Sequence, residues 1–138
     1  MKKITTVFAA LMLATGLASA ATAVPPAPTT QLQLTAERFE DGHDVVGFVW
    51  LDCPAPAAPD RLPHPHREEA CAALDAANGN FDALVGEPSG RCTNEYAPVT
   101  LSAQGTYRGR TVDWTRTYPN NCAAHIATSI ATSPVFHF

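Results

Sequence analysis

The sequence predicts an antiparallel α+β layer fold in a small exported domain. Strand-like segments lie on both sides of one clear helix, four cysteines are spread along the chain, and the N-terminus has the composition of an export signal. The chain starts Met1-Lys2-Lys3, continues through the apolar run Ile4 to Leu17, and reaches Ala18-Ser19-Ala20. A basic start, a short apolar core and small residues before a cleavage point make a secretory signal over 1–20, with Ala23 as the alternative cut site. The apolar run is too short and wrongly flanked for a lasting membrane span, so no membrane partner is expected. Residues 21–30 (AATAVPPAPTT includes them) read as a proline-rich, disordered arm. Residues 31–138 read as one folded domain with one core.

In that domain, Leu32 and Leu34 alternate with Gln31, Gln33 and Thr35, the pattern of a half-buried strand. Asp41-Gly42 turns the chain, and the β-branched and aromatic run Asp44 to Leu51 reads as a central strand. Pro54 to His66 holds five prolines and is predicted to be an irregular loop. In REEACAALDAAN, Ala70, Ala73, Leu74 and Ala77 fall at helical spacing. Glu68 and Glu69 complement the helix dipole, and Asn78-Gly79 stops the helix. Asn80 to Gly86 is expected to add a short second helical piece. Val99, Leu101 and Ala103 alternate, Gln104-Gly105 is expected to turn, and Val112 and Trp114 alternate, which predicts an antiparallel hairpin. The final PVFHF reads as a short apolar strand that ties down the C-terminus.

Charge excludes some partners. The predicted signal contains both lysines, and what remains has seven arginines against thirteen acids. An acidic domain is a poor match for the phosphate backbone of nucleic acid, so no nucleic-acid partner is expected. Four cysteines in an exported chain read as two disulfides. They allow three pairings, and sequence alone does not choose, although Cys53 with Cys71 and Cys92 with Cys122 is the natural division by spacing.

Signs of catalysis are missing from the sequence. There is no G-x-S-x-G elbow, no phosphate-binding glycine loop and no redox C-x-x-C. His64 and His66 form an H-x-H pair in the proline loop, with His125 and His137 far away in sequence. Zinc needs three or four converging ligands, so the pair reads as part of a solvated loop, and neither a metal nor a cofactor is expected. The chain does not read as an enzyme.

The segment GRCTNEYAP, Gly90 to Pro98, reads differently. Thr93-Asn94-Glu95 is a soft polar run restrained by Cys92 on one side and by Tyr96 and Pro98 on the other. Restraint on both sides of an extended segment lowers what binding must order, which is what a loop presented to a protease cleft needs. An ordinary surface loop beside a structural disulfide is the plainer reading.

LDC before the proline loop, ACAALDAANGNFDAL, RCTNEYAPVTLSAQGTYRGRTVDWTRTYPNNC and the terminal VFHF stand in an order and spacing that resemble the Streptomyces subtilisin inhibitor family. The resemblance covers nearly the whole chain after the signal. It implies the Cys53–Cys71 and Cys92–Cys122 pairing, a five-stranded antiparallel sheet with two helices on one face, and a homodimer. It also implies a secreted, extracellular inhibitor of a subtilisin-like serine protease. Carried over position by position, the reactive bond falls at Asn94-Glu95. Asn94 is then P1, Thr93 P2, Cys92 P3 and Arg91 P4, with Glu95 and Tyr96 on the primed side. The family commonly has methionine or lysine at P1 and proline at P2, so this chain departs at both. The segment between Cys122 and VFHF is also longer than usual. The alternatives are a non-inhibitory binding module on the same scaffold, or an inhibitor of another protease class.

Overall fold

The computed structural model describes residues 24–87, 89–128 and 134–138. The expected signal and the first residues of the arm therefore lie outside the described residues. Residues 24–29 are exposed and without regular structure. The chain then forms β1 (Thr30–Glu40), β2 (His43–Cys53), α1 (Arg67–Ala76), β3 (Val99–Tyr107), β4 (Arg110–Tyr118) and α2 (Asn121–Thr128). The strands make one sheet in the order β2-β1-β3-β4, with every neighbouring pair antiparallel. Both disulfides form, Cys53–Cys71 and Cys92–Cys122.

Strand alternation decides which face is covered. Leu32 and Leu34 of β1 pair in register with Leu51 and Val49 of β2, and Leu34 and Ala36 with Ala103 and Leu101 of β3. Residues opposite one another across a ladder share a face, so these side chains form one apolar layer. Ala70 and Leu74 of α1 and Ala124 of α2 join that same core, which puts both helices on one side of the sheet. Leu32, Leu34, Leu51 and Leu74 are fully buried, and each such side chain contributes about 1.5–3 kcal/mol of burial. At the β4 end, Trp114 stacks on Phe81 at 5.2 Å and lies 5.6 Å from Phe136.

Among the described residues the sheet has four strands, one fewer than the family resemblance implies. Beside β2, Leu62 accepts from the Trp50 N–H at 2.8 Å, and the His64 N–H donates to the Trp50 carbonyl at 3.0 Å. This isolated parallel bridge at Pro63 does not extend into a strand, because the next donor on the side facing β2, the His66 N–H, goes to His64 Nδ1 instead. The hairpin turn also lies later than expected, at Arg108-Gly109, where both residues have positive φ (47° and 77°). A two-residue turn of this kind matches the twist of paired strands. Gly105 stays inside β3, where its positive φ brings its backbone so close to the Gln31 carbonyl that a Cβ would not fit. The helical piece expected over Asn80–Gly86 is one 3₁₀ turn, Phe81–Ala83, capped by the Asn80 side chain.

The C-terminal PVFHF is not a strand. Val135 and Phe136 are buried, but the His137 N–H bonds back to the Pro134 carbonyl at 3.0 Å, which curls the segment into a turn. The Val135 carbonyl goes to a side chain, His64, in place of a ladder. His64 is correspondingly 3% exposed, not part of a solvated loop. Its Nδ1 accepts the His66 N–H at 3.0 Å, so the ring proton sits on Nε2 and is donated to Val135, also at 3.0 Å.

Candidate functional site

Arg91 to Pro98 has no regular structure and runs from the second disulfide into β3. Arg91, Thr93, Asn94, Glu95 and Tyr96 are all exposed, and Cys92 is half-buried where it joins Cys122. Tyr96, at 79% exposure, extends an aromatic ring into solvent. The expected site residues therefore form one continuous outward-facing run.

What holds this run in place is a residue the sequence reading did not single out. Asn120 is 8% exposed and immediately precedes α2. Its Oδ1 accepts the Ala123 N–H at 2.8 Å, the side-chain cap expected of asparagine at a helix N-terminus. Its Nδ2 points the other way and donates to the Thr93 carbonyl at 3.2 Å and the Glu95 carbonyl at 2.8 Å. These carbonyls flank Asn94 on either side, so one amide braces the backbone around the expected reactive bond. Just beyond, the Ala97 N–H donates to the Pro119 carbonyl at 2.9 Å. Because the bonds reach backbone oxygens, they fix the path of the chain and leave the Thr93, Asn94 and Glu95 side chains free to face outwards.

Helix α2 is the platform for all of this. Cys122 lies in it, Asn120 caps it, and the Ile126 carbonyl accepts the Glu87 N–H at 2.7 Å. Gly86 presses against the Ile126 backbone, where a Cβ would collide with the carbonyl. Ala124 and Thr128 anchor the inner side of the helix in the core, and Thr128 Oγ1 donates to the Ala124 carbonyl at 2.8 Å. The readable signals were Pro119-Asn120-Asn121 ahead of an alanine-rich run, a proline followed by a residue suited to capping. On the other flank, Asp82 accepts from Arg116 at 2.8 Å and from the Trp114 indole at 3.2 Å, tying the 3₁₀ turn to β4.

Fold and loop together define an α+β domain that presents a braced, exposed segment. Comparison with known proteins gives this class its family. A family model described as subtilisin inhibitor-like matches residues 27–120. The chain is 38% identical over 116 residues to a subtilisin inhibitor of Streptomyces violaceus, covering 76% of this chain and 77% of that protein. It is 41% identical over 81 residues to subtilisin inhibitor-like protein 7 of Streptomyces ambofaciens, covering 59% and 72% respectively. Among solved structures, it is similar to Streptomyces caespitosus sermetstatin, crystallised in complex with Bacillus licheniformis subtilisin. That match has a TM-score of 0.62 and 29% identity, over 80% of this chain and 99% of the other. The chain belongs to the subtilisin inhibitor-like family, whose members are protease inhibitors and not enzymes.

Proposed function

We propose that the domain inhibits a subtilisin-like serine endopeptidase as a substrate that is not released, with Asn94-Glu95 as the reactive bond. The observation that carries this reading is the Asn120 amide, which bonds the carbonyls on both sides of Asn94. Arg91 to Tyr96 lies in the protease cleft as an extended strand and makes main-chain hydrogen bonds while Asn94 fills the S1 pocket. If the enzyme's serine attacks the Asn94 carbonyl, the new Glu95 amine remains attached to the domain through Ala97 and Asn120. It stays at high effective concentration beside the acyl-enzyme, so religation outruns hydrolysis. Pre-organisation on both sides makes interfaces of this kind tight at ordinary size.

Asn94 is short and neutral, which suits a broad S1 cleft. It would leave the buried aspartate of a trypsin-like pocket unpaired, so trypsin is a poor target. Export from the cell follows from the signal-like N-terminus. A homodimer is supported by the uncovered face of the sheet, where Phe39, Val46 and Phe48 are exposed opposite the helical layer. Titration of purified protein against subtilisin tests the function: a sharp one-to-one loss of activity is expected. Absence of inhibition at stoichiometric concentration would instead favour a binding module with a drifted loop.

A further inference from the structure

Among the described residues, every arginine but one is engaged. Arg38, Arg61, Arg67, Arg108 and Arg116 pair with acids, and Arg110 donates to the Asn78 carbonyl at 3.0 Å. The Arg91 guanidinium alone has neither a hydrogen bond nor an ion pair, and it is exposed. The acid four positions before it, Glu87, is taken by the Ser89 hydroxyl. We propose that Arg91 is a specificity-determining residue, which selects subtilisin-like proteases carrying a carboxylate in the S4 subsite over those with an apolar S4. The inference rests on the protease reading above, in which Asn94 is P1 and Arg91 is therefore P4.

The chain is fixed on both sides of this one free cation. Before it, Gly90 lies so close to the Ile126 side chain that a Cβ would collide with it, and the Gly90 N–H closes a turn onto the Glu87 carbonyl at 3.1 Å. Glu87 in turn donates its N–H to the Ile126 carbonyl at 2.7 Å. After it, Cys92 is bonded to Cys122, and the Thr93 carbonyl accepts from Asn120 at 3.2 Å. These anchors belong to α2 or to its cap. With its backbone held, the guanidinium sweeps a limited arc, so the register of the loop in the cleft decides which enzyme group it meets.

A protease that covers Arg91 strips water from an unpaired cation. Facing a carboxylate, the planar guanidinium exchanges that water for paired, charge-assisted bonds. Facing an apolar wall, it is left unpaired or bends back to solvent along its stem, and the contact is lost. Two enzymes making the same main-chain contacts are thus told apart by one side chain. Asn94 carries no charge into S1, and Glu95 beyond the bond has the opposite sign, so Arg91 supplies the positive charge of the expected contact run.

Inhibition constants against two enzymes test this: a subtilisin with no acid in S4, and the same enzyme with a carboxylate introduced there. The introduced carboxylate should tighten binding of the wild-type inhibitor at least about tenfold at low salt, and less in about 0.5 M salt. Arg91→Ala should lose that gain, Arg91→Lys should keep part of it, and Arg91→Glu should reverse it. Arg110→Ala removes a charge at the far end of the β3-β4 hairpin and should keep the gain in full. Circular dichroism verifies that each variant is folded. An Arg91→Ala variant with the wild-type gain would overturn the inference, as would an Arg110→Ala variant that loses as much. One-to-one inhibition of both enzymes with equal affinity would overturn it and leave the protease reading standing. Inhibition of neither enzyme would overturn the protease reading, and this inference with it.

Discussion

Replacing Asn120 with aspartate separates the two jobs of one side chain. Aspartate caps a helix about as well as asparagine, so the bond to the Ala123 N–H survives. The Nδ2 donor is lost, and with it the bonds to Thr93 and Glu95. A carboxylate oxygen then faces two carbonyl oxygens it cannot bond. Each lost bond contributed about 0.5–1.5 kcal/mol, so bracing of the loop falls by about 1–3 kcal/mol, or roughly 5- to 150-fold in the population of the ordered loop. The exposed carbonyls can turn to water, which places the true figure towards the lower end. Asn120→Ala should cost about 1 kcal/mol more in stability, because it removes the cap as well. The assay incubates each variant with subtilisin and follows residual activity and intact protein together for several hours. Asn120→Asp should start as an inhibitor and then be cut and lose its hold, while its urea midpoint stays above that of Asn120→Ala. An Asn120→Asp variant as lasting and as uncut as the parent would refute the bracing role.

The two disulfides should separate in the same assay. Cys92→Ser/Cys122→Ser frees the loop from α2 and should turn lasting inhibition into temporary inhibition, with stability down by about 2–5 kcal/mol. Cys53→Ser/Cys71→Ser, which unties β2 from α1, should cost stability more than inhibition. Asn94→Lys should create trypsin inhibition and largely spare subtilisin, measured as titration endpoints against both enzymes; no effect on trypsin would count against Asn94 as P1. Stability should also depend on pH through His64, whose protonation burial disfavours most, so that its folded pKa lies below its unfolded value near 6.5. Above that value the stabilisation is fully present, and it is lost as pH falls towards the folded pKa. Urea midpoints between pH 7.5 and 5 should therefore fall, and fall less in His64→Gln; an identical slope in that variant would show that His64 is not involved.

Much of this was readable because local pattern and tertiary position agree. The alternation of Leu32 and Leu34, the turn at Asp41-Gly42 and the α1 stop at Asn78-Gly79 are local signals, and each lies where the structure uses it. What failed depended on distant contacts. Gly105 resembles a turn residue, but its backbone is needed against Gln31 on the neighbouring strand. PVFHF has strand composition, but its carbonyl is taken by His64, seventy-one positions earlier. Helix α2 is only eight residues long and alanine-rich, and is held by its cap, its disulfide and the core. Asn120 could be read as a cap from its neighbours, but nothing local shows that its other end reaches the Thr93–Glu95 segment.

The most direct test of the account is the location of the cut. Prolonged exposure to subtilisin, with complexes dissociated and the nicked chain reduced, should yield one new N-terminus reading Glu-Tyr-Ala-Pro, from cleavage between Asn94 and Glu95, the bond flanked by the carbonyls Asn120 holds. A first cut in the proline loop, for example after Arg61, in protein that is otherwise a one-to-one inhibitor would contradict it.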